Sequence, residues 1–69
     1  MSGREVEGLV ETALPNELYR VSLASGTKIT ASLSSTAKQT TVRVIPGDRV
    51  LVEISERDPT RGKIKSRLS

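Results

Sequence analysis

The sequence predicts an all-β fold in which five short strands close into a small barrel. Apolar and polar residues alternate with a period of two through most of the chain, which is typical of strands that bury one face. Turn sequences separate these segments, and most are short enough to join antiparallel neighbours. Because the chain has only 69 residues, closure into a barrel is expected to remove sheet edges that it could not otherwise cover.

Each strand is assigned from the apolar side of its own alternation. In chain order these positions are Val6, Gly8 and Val10, then Tyr19, Val21 and Leu23, then Ile29, Ala31 and Leu33, then Val50, Val52 and Ile54, and finally Ile64 and Leu68. All except Gly8, Ala31 and Leu68 form the predicted core, with Leu68 also pointing toward it. Turn residues fill the breaks at 14–16, 25–26, 46–48 and 58–62.

The third connection is longer and differs in composition. Residues 34–41 are polar and lack Gly and Pro, and Ser34 or Ser35 can cap a short helical turn over 36–39. An extended segment, 42–45, then leads to Pro46. Five strands with this insert between the third and fourth predict a single five-stranded OB-fold Greek-key barrel over residues 1–69. A five-stranded SH3-like barrel is the alternative, since strand count alone does not separate the two.

Positive charge is concentrated in the second half of the chain. The whole chain carries 11 basic and 8 acidic residues, a net charge of +3, and its pI is near 9.8. Residues 1–35 carry a net charge of about −1 and residues 36–69 about +4, by the same count. The segment 61–69 contains four cations and no acid. A polyanion is therefore the expected partner.

The residue inventory argues against an enzyme and against a bound cofactor. The chain has no His and no Cys, which are the commonest general base, nucleophile and zinc ligands. The nearest carboxylate pair, Glu56 and Asp58, lies in a turn with Arg57 and Arg61 and is expected to be solvated. We expect no metal and no cofactor. No targeting or membrane-spanning segment is evident, so a cytoplasmic location is expected.

Cations on the fifth strand suggest a nucleic-acid interface. Lys63, Lys65 and Arg67 occupy positions i, i+2 and i+4, which predicts one shared face at intervals of about 6 to 7 Å. This spacing is comparable with that of phosphates in a single strand, although a polar face kept for solubility and edge protection is the alternative.

Further cations extend this interface in an OB barrel, which binds nucleic acid with its second and third strands and adjoining loops. The complete set of predicted RNA-binding residues is Arg20, Lys28, Lys38, Arg43, Arg61, Lys63, Lys65 and Arg67. Tyr19 is the only aromatic residue and lies on the apolar side of its strand, so it is expected in the core more than as a stacking platform. Backbone and shape recognition of folded RNA is therefore favoured over base stacking.

Several motifs occur in order along the chain. They are Glu7-Gly8-Leu9-Val10-Glu11-Thr12, Leu14-Pro15-Asn16, Tyr19-Arg20-Val21, Ser25-Gly26, the run from Val42 to Val50 that contains Pro46-Gly47-Asp48-Arg49, and Thr60-Arg61-Gly62-Lys63-Ile64. Together they resemble bacterial translation initiation factor one, an S1-like OB-fold family. The similarity covers nearly the whole chain. The third connection diverges, because residues 35–41 keep only Lys38 of the family's basic side chains there, followed by the matching Arg43.

The resemblance implies a translation initiation factor that binds the small (30S) ribosomal subunit at the A site through 16S rRNA and assists formation of the initiation complex. Other initiation factors are then possible partners, no membrane is involved, and a monomer is expected. A general RNA-binding or RNA-chaperone module, or a divergent paralogue without ribosomal specificity, is the first alternative. The second is a protein-interaction barrel whose basic face meets an acidic partner.

Overall fold

Five strands form a closed barrel in the computed structural model, which describes residues 4–34 and 44–68. The strands are β1 (Glu5–Leu14), β2 (Leu18–Leu23), β3 (Lys28–Leu33), β4 (Arg49–Ile54) and β5 (Arg61–Arg67). A 3-10 turn, Pro15–Glu17, joins β1 to β2, and its Asn16 and Glu17 have positive φ angles of 64° and 61°.

The order of strands around the barrel is β1, β2, β3, β5, β4. Neighbouring strands are antiparallel except β3 and β5, which pair in parallel from Thr30 with Arg61 to Leu33 with Ile64. The strand β4 therefore does not pair with β3, which precedes it in the chain, but lies between β1 and β5. This is the Greek-key order of an OB fold. The prediction of an all-β OB barrel is confirmed, and the SH3-like alternative is not supported.

The interior of the barrel is aliphatic. The buried apolar residues are Val10, Val21, Ile29, Ala31, Val44, Val50, Val52 and Ile64, and Tyr19, Leu23, Leu33 and Ile54 pack against them half-buried. The predicted alternation is therefore confirmed in β1 to β4 and in β5 as far as Ile64, although Val6 is only half-buried. Ala31 and Val44 are core residues that the prediction omitted. Val44 brings the end of the third connection into the core.

A bulge in β5 changes which side chains face outward. Val52 of β4 pairs with Ile64, whereas Leu51 pairs with Ser66, so Lys65 is an extra residue in β5. An extra residue reverses the alternation beyond it. Arg67 consequently lies opposite the buried Val50, and Leu68 is 46% exposed. The predictions that Leu68 points to the core and that Arg67 shares a face with Lys63 are therefore wrong.

Part of the third connection lies outside the described residues. This applies to the predicted helical turn over 36–39 and to the first half of the extended segment 42–45. It applies also to two predicted RNA-binding residues, Lys38 and Arg43.

Candidate nucleic-acid interface

One side of the barrel collects cations from three adjacent strands. In β2 and β3 the register places Arg20 beside Thr30, and the parallel pairing of β3 with β5 places Thr30 beside Arg61. Because directly paired residues point to the same face, these side chains form one row across the sheet. The next row contains Ser32 and Lys63. We call the outer positions Arg20, Lys28, Thr30, Ser32, Arg61 and Lys63 the basic face.

Most cations of the basic face are well exposed and weakly paired. The side chain of Lys28 is 58% exposed, with its Nζ 3.5 Å from Oε1 of Glu11. The side chain of Arg61 is 65% exposed, with its Nε 3.9 Å from Oδ2 of Asp58. Arg20 and Lys63 form no ion pair with any of the described residues. Exposed pairs of this kind contribute little to stability, so these cations can exchange their partners for phosphates.

Lys65 marks the boundary of the basic face toward β4. Its Nζ lies 3.5 Å from Oε1 of Glu53, and the two side chains are 38% and 14% exposed. This pair is less exposed than those of Lys28 and Arg61, so Lys65 is held more firmly in place than either of them.

The loop between β4 and β5 fixes the start of β5 and thereby Arg61. Asp58 Oδ1 accepts hydrogen bonds from the Thr60 hydroxyl (2.6 Å) and the Thr60 backbone N–H (3.0 Å). The Arg61 N–H donates to the Asp58 carbonyl, and the Ser55 N–H donates to the Arg61 carbonyl, both at 2.9 Å. These contacts lower the pKa of Asp58 below its usual value. The hydrogen bond from the Thr60 hydroxyl is the largest cause, followed by the Thr60 backbone hydrogen bond and then by the charge of Arg61. The turn is thus built around an ionised carboxylate.

A groove of about 470 Å³ lies between the basic face and this loop. It is lined by Leu18, Thr30, Ser32, Glu53, Ile54, Ser55, Glu56, Arg57, Arg61, Gly62 and Lys63. Gly62 is required at its base, because a Cβ there would lie 2.7 Å from the carbonyl oxygen of Glu53. Cations beside hydroxyl groups are the donors that contact phosphate and sugar oxygens in nucleic-acid complexes.

Arg67 lies away from the basic face. Its Nε is 3.6 Å from Oδ2 of Asp48, whose side chain is 11% exposed. The same carboxylate oxygen accepts a hydrogen bond of 3.0 Å from the Ile45 backbone N–H. Arg67 is therefore part of a network at the end of the third connection.

The opposite side of the barrel, formed by β1 and β4, carries most of the acidic outer positions. Glu5 pairs with Glu53 across these strands, and Glu7 pairs with Leu51. Glu53 also pairs with Lys63 of β5, so it lies at the border with the basic face. Arg49 is the cation of this side, with its Nη1 3.7 Å from Oε1 of Glu7. The outer face of β1, with Glu5 and Glu7, therefore disfavours phosphate, whereas the basic face favours it.

The structure brings together four of the predicted RNA-binding residues, Arg20, Lys28, Arg61 and Lys63, with Lys65 at their margin. It separates Arg67 from them. The hydroxyl groups of Thr30 and Ser32, which lie between the cations, were missed, although their alternation with Ile29, Ala31 and Leu33 already placed them outward. Tyr19 points to the core side of β2, so it adds no aromatic surface to the basic face.

Residues 4–34 and 44–68 contain no cluster of three or more acidic side chains placed to bind a metal ion. In the same residues, no helix has the length and apolar character needed to cross a membrane.

Comparisons with known proteins agree with the barrel fold. The family model described as Translation initiation factor 1A / IF-1 matches residues 2–69. Among solved structures, the translation initiation factor IF-1 from the Wolbachia endosymbiont strain TRS of Brugia malayi is similar, with 40% sequence identity and a TM-score of 0.80. That match covers 96% of this chain and 78% of the other.

Proposed function

The chain belongs to the translation initiation factor 1A / IF-1 family, and we propose that it binds the small ribosomal subunit at the A site through 16S rRNA. In this proposal it assists formation of the initiation complex as a cytoplasmic monomer, in which other initiation factors can be its neighbours. Its role is binding, and no catalytic step is required of it.

The observation that carries this proposal is the row formed by Arg20, Thr30 and Arg61, with Lys63 in the adjacent row. Adjacent strands are about 4.8 Å apart, so the two arginines are separated by about 10 Å across the sheet. A nucleic-acid backbone that crosses β2, β3 and β5 can therefore place a phosphate near each of these cations. Because the acidic side faces the other way, the electrostatic field also orients the approach.

Recognition should depend on the RNA backbone and shape. Base-stacking binders of single strands use aromatic side chains, and the only aromatic residue here packs against the core. Cations and hydroxyl groups instead suit phosphate, sugar and 2′-OH contacts with folded RNA.

The third connection is proposed to extend the same interface. Lys38 and Arg43 lie in it, and Arg43 directly precedes Val44, which is only 7% exposed. The described end of the third connection, Val44, is therefore attached to the barrel core.

Footprinting of 16S rRNA in isolated small subunits, with and without the protein, tests the proposal. We expect protection confined to A-site nucleotides, and we expect it to weaken when Arg61 and Lys63 are both replaced by Gln. The matched control is Arg49→Gln, which removes one cation from the opposite side of the barrel. Equal affinity for unrelated RNAs, with no local protection, would instead favour a general RNA-binding or RNA-chaperone module.

A further inference from the structure

Arg67 is oriented by the bulge toward a carboxylate that the rest of the fold encloses. Its own side chain is 52% exposed, whereas that of Asp48 is 11% exposed. A carboxylate so far removed from water is costly unless hydrogen bonds and a cation compensate its charge. Within the described residues, Arg67 is the cation that lies within 4 Å of it.

Asp48 closes a turn that leads out of the third connection. Its Oδ2 accepts from the Ile45 N–H at 3.0 Å, and its own N–H donates to the Ile45 carbonyl at 3.1 Å. Gly47, with φ of 97°, provides the left-handed backbone that this turn needs.

The same turn is attached to the core strand β1. The Gly47 N–H donates to the Val10 carbonyl at 2.8 Å, and the Val10 N–H donates to the Asp48 carbonyl at 2.9 Å. On the other side, the Leu68 N–H donates to the Arg49 carbonyl at 2.7 Å, so the end of β5 is held beside the turn. The guanidinium of Arg67 thus connects β5 to the segment that delivers Val44 to the core.

We propose that Arg67 is a positioning residue that acts through Asp48. Its charge stabilises the Asp48 carboxylate, which holds the turn over 45–48 and so sets the end of the third connection relative to the basic face. In this role Arg67 contributes to RNA binding through the position of the turn and not through a phosphate contact of its own. This role rests on the function proposed above, although its local part does not require RNA.

The first test measures the turn in the free protein. Amide exchange of Ile45 and Gly47 is followed by NMR in Arg67→Gln, in Asp48→Asn, in the double variant and in Lys63→Gln as the control. Asn keeps an oxygen acceptor for the Ile45 N–H, so the Asp48 variant removes the charge and not the hydrogen bond. We expect each single variant to accelerate Ile45 exchange about two- to five-fold, as for loss of a partly exposed ion pair. The double variant should show no further acceleration, and Lys63→Gln none.

The second test measures binding to 16S rRNA over a range of salt concentrations, at a temperature at which every variant is folded. Lys63→Gln should flatten the log-log salt slope by about 0.7, as expected for one lost phosphate contact. Arg67→Gln should weaken binding several-fold with the slope unchanged. The positioning role would be overturned if Ile45 exchange were unchanged in the single variants, or if the accelerations of the two single variants added up in the double variant. It would also be overturned if Arg67→Gln flattened the salt slope as much as Lys63→Gln does. If the wild type does not bind the rRNA, the proposed function fails, and the exchange experiment still decides the role of Arg67.

Discussion

Two arginines with similar exposure and pairing can be replaced one at a time to test whether RNA binding depends on the basic face. Arg61 and Arg49 have side chains that are 65% and 63% exposed, and each has one ion pair, of 3.9 Å to Asp58 and 3.7 Å to Glu7. Arg61 lies on the basic face and Arg49 on the opposite side. Arg61→Gln and Arg49→Gln therefore remove the same charge from similar surroundings on opposite sides of the barrel.

The expected magnitude follows from the number of phosphate contacts. If Arg20, Lys28, Arg61, Lys63 and Lys65 each bind one phosphate, a contribution of about 0.7 per contact gives a log-log salt slope near −3.5. Arg61→Gln should then change the slope to about −2.8 and weaken binding about five-fold at 0.1 M salt. Arg49→Gln should change the slope by less than about 0.2 and the affinity by less than about two-fold.

The assay is a fluorescence anisotropy titration of small subunits with labelled protein at several salt concentrations between about 50 and 200 mM. Urea denaturation of both variants serves as the folding control. It should show changes within about 0.5 kcal/mol, because both ion pairs are exposed. Equal changes of slope in the two variants would mean that binding follows net charge alone and would refute the assignment of a face. A larger effect of Arg49→Gln would place the RNA on the β1 and β4 side.

Three other predictions concern stability and titration. Ile29→Ala, at a position 2% exposed, should lower the free energy of unfolding by about 2–4 kcal/mol in urea denaturation, and a loss below about 0.5 kcal/mol would contradict the observed register. Gly62→Ala should cost about 1–3 kcal/mol, because its Cβ would lie 2.7 Å from the Glu53 carbonyl oxygen and 2.9 Å from Val52 Cγ1. Ser66→Ala on the same strand is the control, and equal stability of the two variants would show that β4 and β5 can separate at no cost. Thr60→Val should raise the pKa of Asp58 toward its ordinary 3.8 in an NMR titration, because the hydroxyl bond is the largest cause of the lowered value. A carboxylate whose pKa is lower in the folded state than in the unfolded state stabilises the protein at a pH above its unfolded-state pKa. This stabilisation is lost as the pH falls through the folded-state pKa. Below about pH 4 the wild type should therefore lose more stability than the variant. An unchanged Asp58 pKa would show that the Thr60 hydroxyl does not hold the carboxylate.

Most of the barrel could be predicted from local patterns. Alternation at Val21, Ile29 and Val52 identified core positions because a strand buried on one face leaves a period of two in the sequence. Turn residues such as Gly26 and Gly47 marked the breaks, and both have positive φ angles of the kind that favours glycine. The outward placement of Arg20, Lys28 and Lys63 followed from the same alternation.

Which outward residues share a surface depends on how the strands pair. Thr30 and Arg61 become neighbours because β3 and β5 pair in parallel, a contact between segments far apart in the chain for which no local pattern is a signal. The bulge at Lys65 is also a property of strand pairing: an extra residue is defined only relative to its partner strand, so the regular spacing of Lys63, Lys65 and Arg67 could not reveal it. Local sequence patterns thus suffice for the strands, for their buried faces up to the bulge in β5, and for the total charge. Closure of the barrel determined where that charge is concentrated, because it alone sets the register between strands.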